Sequence, residues 1–195
     1  MKKTIAALFI GALFAMPVFA AERPDPQVEK VEKSPGTSDK QESKVRAKTS
    51  GAAEVKPWIK KAAQAGLAEV ELGKLAAQKA QSSEVKEFAQ RMVDDHAKAN
   101  DELMKIASDK GVTPPTQLDE KHRKLQQELT QARGAEFDKK YMDAQVKDHK
   151  EAIALFEKGA KSSDEQVQQF ASSTLPNLKK HLQMAQKVNT KASPK

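Results

Sequence analysis

There is no cysteine in this chain. That excludes disulfides, thiolate-rich metal sites and cysteine nucleophiles. It also closes the lipoprotein route to a membrane, which needs a cysteine just after the leader. Aromatic residues make up only 5% of the sequence, with one tryptophan and one tyrosine. With so few stacking surfaces and no compact arginine cluster, the composition argues against a dedicated nucleic-acid module. Alternating strand patterns are missing, as are a glycine-rich phosphate loop, a nucleophile elbow and a His-Glu-x-x-His pair. The reading leans away from an enzyme.

Long apolar runs are scarce too. The one that occurs, residues 4–20, stands directly behind Met1, Lys2 and Lys3 and ends at Ala20, with Val18 two residues earlier. A basic start, an apolar stretch and small residues before a charged segment describe a signal peptide over residues 1–20. The alternative, a retained anchor, has less than the ~20 apolar residues of a spanning helix. The expected mature protein is exported to the periplasm or cell envelope with no transmembrane helix. Its formal charge falls from +7 to +5 once Lys2 and Lys3 are removed.

Residues 21–55 are rich in Lys, Glu, Ser and Pro and carry few large apolar side chains. Such a segment buries too little surface to offset chain entropy, so it reads as a disordered charged tether. One domain is expected over 56–190, with a disordered tail at 191–195. Within the domain, strong helix formers dominate. Long helices are expected at 57–81, 83–110, 134–161 and 164–188, with a short one at 118–132. Pro57 suits a first helical position, Ser83 a cap, Gly111 with Pro114 and Pro115 a stop, and Pro176 a kink. Short links make the first two long helices one antiparallel hairpin and the last two another. The long link between hairpins, with its short helix, can cross the ~40 Å length of a helix of that size. The expected architecture is therefore all-α, a ferritin-like four-helix bundle with a short extra helix in the long crossover. A plain up-down-up-down bundle is the alternative.

Four residues stand out because ionisable groups are unwelcome on an apolar stripe. At about 100° per residue, Glu69, His96, His149 and His181 each lie among apolar residues on a different long helix. Glu71 points the opposite way, and Asp94 and Asp95 flank their stripe. His122, between Lys121, Arg123 and Lys124, reads as solvated. Glu69 and His96 fall at one level, about 20 Å from the turn between their helices. His149 lies at a similar depth from its own turn. His181 comes out roughly 7 Å off that level on the same rise per residue, so Asn177, one turn away, is a further candidate.

The stretches at 66–76 (GLAEVELGKLA), 88–96 (FAQRMVDDH), 137–142 (FDKKYM) and 174–181 (TLPNLKKH) resemble a bacterial exported family. It is the domain-of-unknown-function family numbered 4142, regarded as ferritin-like. By that likeness Glu69, His96, Asp138, Tyr141, His149 and His181 correspond to its characteristic polar positions. Asp138 lies about 16 Å along its helix from His149. It is expected to serve the helix dipole, Tyr141 or the connector rather than the same centre. Di-iron bundles place Glu-x-x-His pairs on two helices, whereas Val93, Val146 and Leu178 precede the histidines here. Iron storage is not implied.

Three imidazoles and one carboxylate suffice for one zinc, iron or copper ion. Two other readings stay open. One is a structural polar layer in a non-enzymatic envelope stress or interaction protein, with an envelope partner. The other is a hydrated cavity for a small organic ligand.

Overall fold

A computed structural model describes residues 39–192. The expected signal peptide, the tether up to residue 38 and residues 193–195 lie outside the described residues. Five helices account for most of the rest: α1 (Asp39–Lys79), α2 (Ser83–Asp109), α3 (Glu120–Gln131), α4 (Gly134–Gly159) and α5 (Glu165–Ala192). No strand occurs among the described residues.

The largest departure from expectation is at the front. Helix α1 begins at Asp39 and carries Pro57 inside it, so residues 39–55 are helical rather than tether. Burial was the wrong criterion there. Ten of those seventeen residues are Lys, Glu, Gln, Arg or Ala, whose helix propensity is high whether or not they have a core to face. At the other end α5 continues through Pro176 to Ala192 as one helix.

The turns are set by local chemistry. At the end of α2, Lys110 is the cap and Gly111 adopts φ +59°. The Val112 amide reaches the Ala107 carbonyl and the Gly111 amide the Ser108 carbonyl. This is a Schellman stop, and it needs a residue free to enter the left-handed region. Val112 then turns inward and is buried. Ser83, expected to cap α2, is instead its first helical residue, and Ser82 at the cap makes no side-chain bond. The Asp138 carboxylate instead holds the turn just ahead of α2 from α4, accepting from the Gln81 amide at 2.9 Å and the Ser82 amide at 2.8 Å. Asp138 thus serves the α1–α2 turn, not Tyr141 or the connector.

Helix α1 packs on α2, α2 on α5, α5 on α4 and α4 on α1, while α3 lies against α1 and α4. In that order α2 and α4, which are consecutive along the chain apart from α3, are not side-by-side neighbours. The link through α3 therefore crosses the bundle.

Two apolar clusters fill the interior. One gathers Trp58, Ile59, Leu103, Phe156, Phe170 and Leu178; the other gathers Leu72, Phe88, Met92, Phe137, Tyr141 and Met142. Each of α1, α2, α4 and α5 passes from one cluster to the other, and between them each carries buried polar residues: Glu69, His96, Gln145 with His149, and His181. The polar layer is sandwiched by apolar packing on both sides. No described helix is long and apolar enough to cross a membrane.

Trp58 is the anchor of the first cluster, edge-on to Phe156 and donating its indole N–H to the Leu155 carbonyl at 2.9 Å. Gly159 faces its ring so closely that an added Cβ would lie 2.6 Å from Cε2 and Cζ2. Because the indole is hemmed in, Gly159→Ala is expected to cost about 1–3 kcal/mol by overpacking. Urea unfolding followed by Trp58 fluorescence would register it.

Candidate metal centre

The His96, His149 and His181 rings form a near-equilateral triangle, with centroids 5.6 Å apart for 96–149, 5.4 Å for 96–181 and 5.6 Å for 149–181. Each ring offers one nitrogen, and the three nitrogens lie within 4.8 Å of one another. The 7 Å offset expected for His181 does not appear, because side-chain reach and helix inclination absorb what a parallel-rod count assigns to the backbone. All three residues are buried. Asn177 is exposed and takes no part, so its candidacy is withdrawn.

For His149 and His181, outer contacts decide which nitrogen is left free. His149 Nδ1 lies 2.9 Å from the Gln145 carbonyl, which can only accept, so Nδ1 carries the proton and Nε2 keeps a free lone pair. His181 Nε2 faces Asp95 Oδ2 at 3.0 Å, leaving Nδ1 as its free nitrogen. The buried ring nitrogens without a hydrogen-bond partner are His96 Nε2, His149 Nε2 and His181 Nδ1. One nitrogen of each ring is therefore buried with nothing to bond, an arrangement that buried polar groups normally avoid.

Glu69 meets this layer from behind. Its Oε1 stands 3.5 Å from His149 Nδ1, the nitrogen already held by Gln145. The expectation of a carboxylate in the same set as the three imidazoles is replaced by one of a carboxylate backing one of them. Tyr141 is fully buried, and its hydroxyl has no hydrogen-bond partner. Burial pushes its phenol well up, with the charge of Glu69 adding to the effect.

Electrostatics keep the rings available. Burial holds His96 well below the ordinary imidazole value, and its neighbours His149 and His181 add repulsion. Burial likewise lowers His181, although Asp95 pulls the other way. Burial raises Glu69 above the usual carboxylate range, with His149 opposing.

These directions set a pH dependence. An unfolded imidazole binds a proton below about pH 6.5, whereas folded His96 and His181 resist it. Stability from both is present above that value and is lost as the pH falls through it. Glu69 works in the opposite sense, its share being lost as the pH rises above about 4.5. Between those limits two imidazoles outweigh one carboxyl, so metal-free protein is expected to lose roughly 1 kcal/mol per pH unit below pH 6.5. Denaturant unfolding at pH 7.0 and 5.5 checks this, and His96→Gln should flatten the slope.

Sequence reasoning missed Asp95, Gln145 and the burial of His122. Asp95 flanks its own helix's stripe, yet that angle aims it at α5. Gln145 was legible as the residue one turn before His149 on the same face. His122 is buried rather than solvated. Its Nδ1 and its amide both meet Asp119 Oδ1 at 2.8 Å. The facing Asp148 carboxylate, 3.7 Å from Nε2, holds His122 above the usual imidazole range. Carboxylates from outside its own run of basic residues made the difference.

The bundle resembles a solved one. A DUF305 fragment from Deinococcus radiodurans superposes with a TM-score of 0.61 at 10% identity, covering 69% of this chain and 94% of that one. At that identity the likeness concerns the fold alone. None of the curated proteins compared matches the chain. Residues 40–188 match a family described as Domain of unknown function (DUF4142). That span takes in nearly all of the five helices, both apolar clusters and every residue of the histidine layer, and the chain belongs to the DUF4142 family.

Proposed function

We propose that this protein holds one transition-metal ion between His96, His149 and His181, inside an exported ferritin-like four-helix bundle whose crossover carries α3. The carrying observation is that His96, His149 and His181 each offer a ring nitrogen within 4.8 Å of the other two, and that each ring also keeps one buried nitrogen without a hydrogen-bond partner. Neutral imidazole is a good ligand for zinc, copper and ferrous iron, and a three-histidine set leaves a coordination position open. The packing order of the helices supports the ferritin-like connectivity, since a plain up-down-up-down bundle would set α2 beside α4. The signal-like start supports export to the periplasm or envelope.

The surroundings suit a cation. Asp95 backs His181, while Glu69 and the Gln145 carbonyl back His149. Such outer partners orient metal-binding imidazoles and raise their basicity, and two carboxylates offset the charge of a divalent ion. A purely structural polar layer, with Glu69 bonded to His96 and the others, is the weaker reading, because one nitrogen of each ring is left without a partner. Among the described residues the buried set is three histidines, not the carboxylate-bridged pair that storage or oxidation of iron uses.

The test is metal uptake by untagged protein: elemental analysis as purified, then titration of the chelator-stripped protein with zinc, copper and ferrous iron. One tightly held equivalent of at least one metal is expected. Protein that arrives metal-free and neither gains metal nor changes its melting temperature would end this reading. Asp95→Asn is expected to weaken uptake by about 10–100-fold through loss of an outer partner. It should leave the fold of the metal-free protein intact.

A further inference from the structure

We propose that His96 is the ligand through which an ion enters the histidine layer, its ring turning between the layer and the cavity alongside it. This role rests on the metal reading of the layer. The three rings differ in how they are held. His149 is fixed by the Gln145 carbonyl and His181 by the Asp95 carboxylate. The His96 ring makes no hydrogen bond or ion pair with any described residue. Metal-binding imidazoles almost always have an outer partner that sets their orientation, so the ring without one is the ring able to turn. On a helix such a side chain has two favoured χ1 settings, and a hop between them needs no movement of the backbone.

Exposure and space point the same way. His149 has no exposed surface and His181 has 3%, whereas His96 has 8%. His96 is also the member of the three that lines a half-open cavity of about 320 Å³. Ala65, Ala99 and Ala152, small residues on α1, α2 and α4, leave that room. His96 Nε2 itself is buried, so an ion in the cavity reaches that nitrogen only after the ring turns. The lining carries charges of both signs. Lys121 Nζ is bonded to Asp148 and Glu151 at 2.7 Å each, and Asp119 lines the same cavity. Carboxylates therefore flank a cation's approach without forming an unopposed trap for it. An approach past Asp95 would first have to break the bond from Asp95 to His181.

Zinc is the probe, on untagged protein stripped by chelator and reloaded. Stopped-flow transfer of zinc to an excess of chromophoric chelator gives the release rate, competition gives the affinity, and the two together give the uptake rate. Ala99→Phe on α2 and Ala152→Phe on α4 fill the cavity from different helices. Whichever of them keeps a cooperative melt should slow uptake and release alike by about tenfold or more, with affinity within about threefold, because the layer's nitrogens are untouched. A cavity with no part in entry would leave both rates as they are. In metal-free wild type, NMR relaxation dispersion is expected to show microsecond-to-millisecond exchange at the His96 ring and not at His149 or His181. Unchanged rates in a filled, folded variant, or a His96 ring that exchanges no more than the other two, would overturn this role and leave the metal reading standing. If zinc is not held, or both variants unfold, the exchange measurement decides alone. Failure to hold zinc, copper or ferrous iron strikes the metal reading and this role together.

Discussion

His149→Ala is expected to lower the affinity for an added ion by more than about 100-fold, beyond the loss that follows removal of an outer partner alone. His149 is the residue on which the centre turns. Its Nε2 is one of the three free nitrogens, and its Nδ1 ties the layer to the Gln145 carbonyl and to Glu69. The change is large enough to read as heat stability. An ion held at 100 times its dissociation constant adds about 2.7 kcal/mol to wild-type stability. For a chain of this size that raises the melting temperature by roughly 5–11 °C. The variant should show a rise of no more than about 2 °C at the same concentration. Circular dichroism of the metal-free variant checks that the bundle still forms, since the layer lies between two intact apolar clusters. An undiminished ion-dependent shift would place the ion elsewhere.

A change of similar size, with the opposite signature, is expected at Asp138. Its buried carboxylate is the partner of two backbone amides at the α1–α2 turn, Gln81 and Ser82. No side chain at the start of α2 stands in for it. Hydrogen bonds to an ionised group contribute about 1.5–3 kcal/mol each, and stranding the donors adds to the loss. Asp138→Ala is therefore expected to cost about 3 kcal/mol in denaturant unfolding. Because Asp138 belongs to the turn and not to the histidine layer, ion affinity of the folded fraction should stay within about threefold. Loss of both together would mean that the turn sets the geometry of the layer.

How much of this could be read from residues alone follows from what each inference depended on. Helical periodicity is a property of one segment at a time, and it identified four of the five polar residues that sit between the apolar clusters. Register between helices depends on tilt and side-chain reach. A count along parallel rods therefore misjudged His181 and promoted Asn177, which is exposed. Roles that depend on a partner from another helix were the least legible. Asp138 was recognised as polar and important, yet its donors lie far away in the chain, at residues 81 and 82. Asp95 flanks its own stripe, and its partner His181 appears only when α5 is set beside it. Glu69 was correctly turned inward, but which face of His149 it meets is decided by the Gln145 carbonyl, a backbone atom no pattern displays. The helical start of α1 was missed for a different reason, an argument from burial applied where propensity governs.

X-ray absorption at the metal edge of the loaded, untagged protein tests the central claim most directly. The account predicts one ion with three nitrogen neighbours about 2.0–2.1 Å away for zinc, carrying the outer-shell scattering of imidazole. A shell dominated by oxygen without imidazole scattering, or two ions bridged by carboxylates, would contradict it.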